Sequence, residues 1–219
     1  MTREELIELL ACAADVVGPR LNEITDEFRS GADLRLLAPL LESDDVELVS
    51  LAAYMADEGI PGPRRRAREE SHDRELFGRL VELLGHADPA VRWNATGAVA
   101  QLVMPQDRDA MSALVKLVVD PARSVRWRAM VELVWIPATT MIPLLGDSEL
   151  PGLDLVVGSS SPQACLDGAC STNPMERQLA LVAIVRNYGA DAALLDAAAD
   201  ALDGEAREAF ASLRRRYRV

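Results

Sequence analysis

Few side chains in this sequence could do chemistry on their own. There are two histidines, His72 and His86, and neither has a second ligand at helical or hairpin spacing, so no metal site is expected. Cys165 and Cys170 stand in "CLDGAC", which is not the CxxC spacing of zinc or dithiol sites. They could close a local disulfide or remain two loop thiols; with Cys12 the count is odd and no secretory leader precedes them, which favours reduced thiols in a cytoplasmic protein. "GSSSP" lacks the glycine spacing and lysine of a phosphate cradle, and no nucleophile elbow or paired-acid motif occurs. No catalytic residue, metal or cofactor is assigned from these groups. The chemistry left to explain is that of tryptophan and arginine.

Both occur in a duplicated stretch. "DPAVRWNA" (88–95) is echoed by "DPARSVRWRA" (120–129). Val91 and Val125, Arg92 and Arg126, Trp93 and Trp127, Ala95 and Ala129 are each 34 residues apart. A helix-like run precedes each copy, "RELFGRLVELLGHA" and "RDAMSALVKLVVD". The unit is helix A, a tight Asp-Pro turn, then helix B. Asp88 and Asp120 can cap the unpaired N–H groups of helix B, and Pro89 and Pro121 are tolerated in a first turn. Arg92 and Arg126 can reach back to the Asp of a neighbouring turn as bidentate forks.

Weaker copies follow the same template. "LRLLAPLLESDDVELVSLAAYMADE" (34–58) has Asp44 or Asp45 before Val46, with Glu47 in the place of Arg. "NPMERQLALVAIVRNYG" (173–189) keeps Asn-Pro and Arg177, and "DGEAREAFASLRRRYR" (203–218) keeps Asp203 and Arg207. The pattern resembles the HEAT and HEAT-like repeat family. That resemblance implies an all-α fold, a right-handed alpha-alpha superhelix of about five helical pairs plus N-terminal helices, forming one domain over 1–219. Family members include scaffolds, adaptors, phycobilin lyase components and alkylpurine DNA glycosylases.

Two stretches break the rhythm. "GIPGPRRRAREESHD" (59–73) reads as an exposed connector. Residues 146–172 read as a long insert within the fourth repeat, rich in Gly, Ser, Pro and Asp around an apolar centre, Leu153 to Val157.

On helix B of the second repeat, Val91, Ala95, Ala98, Val99 and Leu102 share one face, and Trp93 lies roughly 200° round from Val91. In the next repeat Trp127, Met130, Val131 and Val134 oppose the core face of Val125, Ala129, Leu133 and Ile136. A helix apolar all round must be covered. Neighbouring repeats can do it; so can the insert, with Leu153, Leu155, Val156 and Val157 as a lid; so can a partner or ligand. The resemblance implies that B helices line a concave groove, so Trp93, Trp127, Met130, Val131 and Val134 are the candidate binding residues. Asp88, Arg92, Asp120, Arg126, Arg177 and Arg207 are read as structural residues of the repeat.

Composition bounds the partner. Net charge is −12, and residues 1–60 carry fourteen acidic against four basic side chains. Such a chain repels nucleic acid and anionic membrane and attracts basic surfaces. One lysine against many arginines reflects genome composition, here read as bacterial. The expected function is a non-enzymatic scaffold, adaptor or immunity-like inhibitor whose protein partner is basic or offers an apolar anchor. The alternatives are a glycosylase-type enzyme, for which Glu132 is the available acid although its register points coreward, and a binder of a small hydrophobic ligand beneath the insert.

Overall fold

Aspartate or asparagine in front of proline marks where two of the long helices begin, at Pro89 and Pro174. The computed structural model describes residues 19–30, 32–59, 71–158, 160–202 and 204–217. Every regular element among them is helical. Residues 1–18, at the start of the region expected to hold the N-terminal helices, lie outside the described residues, as does the Pro/Arg-rich part of the connector, 60–70.

The helices fall into two compact units, Met1–Leu102 and Val103–Val219. The first contains α1 (Pro19–Ser30), a 3-10 turn (Leu34–Leu37) running into α2 (Ala38–Leu41), then α3 (Val46–Gly59), α4 (Ser71–Glu82) with a 3-10 turn (Leu83–Gly85), and α5 (Pro89–Leu102). Helix α3 packs on α5, with α1 and α2 against α3 and α4 against α5. Phe28, Leu37, Met55, Leu76 and Leu80 are buried, as is the predicted α5 face of Val91, Ala95, Ala98 and Val99. Each large apolar side chain contributes about 1.5–3 kcal/mol by leaving water. Gly59 ends α3, buried; a Cβ there would sit 2.7 Å from Phe28 Cβ, so only glycine lets α1 approach. Two polar rungs fix the α3–α5 register. Asn94 Nδ2 donates to Ser50 O at 3.0 Å, and Gln101 Nε2 donates to Asp57 O at 2.7 Å.

The second unit contains α6 (Arg108–Lys116) with a 3-10 turn (Leu117–Val119), α7 (Arg123–Trp135), α8 (Ala138–Met141) with a 3-10 turn (Ile142–Leu144), α9 (Leu153–Val157), α10 (Pro162–Ala169), α11 (Pro174–Tyr188), α12 (Ala192–Ala201) and α13 (Gly204–Tyr217). Helix α11 is its centre. Leu179 to Val185 are all buried, and α7, α9, α10, α12 and α13 pack around them. The stretch 146–172 is not a structureless loop: it holds α9 and α10. Ser161 Oγ accepts from Ala164 N at 3.2 Å and Pro162 opens α10, a standard helix start inside a polar segment. Gly168 lets α10 close on its neighbours, since a Cβ would lie 2.7 Å from Leu155 Cδ1 and 3.0 Å from Ala180 Cβ.

The turns repeat with one variation. Asp88 Oδ1 accepts from Ala90 N at 2.7 Å and caps α5. Asp45, not Asp44, plays this part for α3, accepting from Glu47 N at 2.9 Å. Asn173 does so for α11, accepting from Met175 N at 3.0 Å and Glu176 N at 3.2 Å. Asp120 differs from the expectation. Its Oδ1 takes Ala122 N at 2.7 Å, but α7 begins only at Arg123, with Pro121 left in the turn. The cause is "DPARSVRW", which places two more residues between Pro and Val than "DPAVRW" does.

Candidate binding surface

The arginines of the repeat end on backbone carbonyls. Arg92 Nη1 donates to His86 O at 2.7 Å and Ala87 O at 2.9 Å. Arg126 Nη1 donates to Asp120 O at 2.7 Å and Pro121 O at 3.0 Å, the same two positions counted back from the arginine despite the longer turn. Arg207 Nε donates to Ala199 O at 3.0 Å. These contacts satisfy carbonyls at the end of helix A and in the turn that follows it. His86 belongs to the same turn, its Nδ1 accepting from Asp88 N at 3.0 Å. Arg177 makes no such bond; it lines a cavity of about 320 Å³ with Arg126, Val118, Val119, Pro174, Gln178 and Ala206.

The candidate binding residues divide by accessibility. Met130 and Val131 are buried in the second unit, while Trp127 and Val134 are half-buried. Trp93, half-buried, belongs to the first unit. Of the lid candidates, Leu153, Leu155 and Val156 are buried and Val157 half-buried, on a helix that packs against α11 and α8. Glu132 pairs with Arg128 in the same helix, Nε to Oε1 at 3.0 Å, both side chains largely shielded. Cys165 and Cys170 are free thiols, both within or capping α10. Cys165 is buried, and burial pushes its thiol pKa up, with Asp154 adding to the rise; Cys170 is exposed.

The accessible aromatic that the repeat pattern did not flag is Trp135. It is the last residue of α7 and is 63% exposed. Its ring meets that of Tyr217, centroids 5.2 Å apart and tilted by 57°. The Tyr217 hydroxyl donates to Val131 O at 2.5 Å, which fixes the end of α13 on α7. Burial raises the Tyr217 pKa, and Glu132 raises it further, while Arg216 opposes both. From the other side Arg186 of α11 holds the last turn of α7, Nη1 donating to Leu133 O, Val134 O and Ile136 O at 2.6–3.0 Å. Trp135 therefore stands on a helix end pinned by two other helices. Ile142 and Leu145, 51% and 44% exposed, follow it in the chain. A sequence signal existed: "LVWIP" puts a tryptophan two residues before the proline that ends the helix.

The architecture defines the class first: an all-α protein of helix–turn–helix repeats. Residues 77–148 match the family model for HEAT repeats. No curated protein matches the sequence. Among solved structures, an engineered protein from the Northeast Structural Genomics Consortium is similar at 20% identity and a TM-score of 0.49, covering 99% of this chain and 90% of that one. Among the described residues no His, Cys, Asp and Glu group could hold a metal ion. Nor is any described helix long and apolar enough to cross a membrane.

Proposed function

We propose that this helical repeat scaffold is a non-enzymatic protein-binding module, acting as an adaptor or an immunity-like inhibitor. The observation that carries this reading is Trp135. A tryptophan 63% exposed costs solubility, yet here its helix end is held rigid by Tyr217 and Arg186. A rigid, accessible, amphipathic ring is the usual form of an interface anchor. Trp93 and Trp127, half-buried at equivalent repeat positions, are further candidate contacts. The partner offers an apolar pocket or patch, and the net charge of −12 favours a basic rim around it.

The test is affinity capture from the native cell with the wild type, Trp135→Ala, and Trp93→Ala plus Trp127→Ala. Far-UV circular dichroism confirms that each variant is folded. Loss of a specific partner by a folded tryptophan variant supports the reading. Equal retention of every partner by both variants overturns the assignment of these rings as anchors.

A further inference from the structure

We draw no further inference here: the strongest candidate, the exposed apolar surface of Ile142 and Leu145 that follows α8 in the second unit, carries nothing beyond the Trp135 surface already described, because nothing in the structure shows what covers it.

Discussion

The rings of Trp135 and Tyr217 lie 5.2 Å apart and are tilted by 57°, joining the last residue of α7 to the last turn of α13. This tilted geometry lets the edge of one ring approach the face of the other. Pairs of this kind are worth about 0.5–1.5 kcal/mol beyond the area they bury. A double-mutant cycle with Trp135→Ala and Tyr217→Leu should return a coupling energy in that range, measured by urea unfolding. A coupling near zero would show that Tyr217 is placed by its hydroxyl alone.

That hydroxyl gives a separate, pH-dependent signal. The folded protein holds the Tyr217 pKa above its usual value through burial, with Glu132 adding to the shift. In the unfolded chain the phenol ionises near pH 10, so above that pH the unfolded state releases a proton that the folded state keeps. Stability is then fully present below about pH 10 and falls as pH rises above it. Tyr217→Phe should be less stable than the wild type at pH 8, by about 1–2 kcal/mol, because Val131 O loses its donor. The difference between them should shrink between pH 10 and 11. A gap that stays constant would show that the phenol ionises equally in both states.

The thiols differ by position on one helix. Cys165 is buried in α10 with a raised pKa, and Cys170 is exposed at its C-cap. Thiolate, not thiol, is the reactive form, so burial slows Cys165 twice over, by access and by charge. In a Cys12→Ser background at pH 8, a chromogenic disulfide reagent should modify one thiol rapidly and the second only on the timescale of unfolding. Adding urea should make the two rates converge. Two fast phases in native buffer would contradict the packing of α10 on α11.

The parts of this structure legible in the sequence were those fixed by local chemistry. Asp-Pro at 88–89 and Asn-Pro at 173–174 announce helix starts, and the 34-residue echo from Val91 to Val125 reveals the repeat. The core face of α5 follows from helical spacing alone, and Val91, Ala95, Ala98 and Val99 are all buried. What the sequence concealed depends on distant partners. Trp135 and Trp127 both sit on an apolar helix, and only the placement of α11 and α13 leaves Trp135 the more exposed. Residues 162–169 read as loop because Gly, Ser and Pro surround them, yet burial of Cys165 and Ala169 against α11 rewards the helix. Arg177 looks like Arg92 in sequence; that Arg92 reaches the carbonyls of His86 and Ala87 appears only in three dimensions.

The two Asp-Pro turns offer the sharpest comparison of similar sequence with different structure. Asp88 is a true cap: its carboxylate takes Ala90 N in the first turn of α5, and its carbonyl accepts from Arg92 N at 3.2 Å. Asp120 stands ahead of a helix that starts only after Ala122, and its carboxylate accepts from Ala122 N in the preceding turn. Removing a helix cap costs about 1 kcal/mol, within a range of 0.5–2. Asp88→Ala should therefore lower stability by about that amount, and Asp88→Ser should restore most of it, since serine also accepts from the N2 amide. For Asp120 the serine variant should recover less, because a hydroxyl replaces the Asx turn only weakly. Thermal unfolding of the four variants separates the two roles. Equal rescue by serine at both positions would show that the two extra residues of the second turn leave its chemistry unchanged.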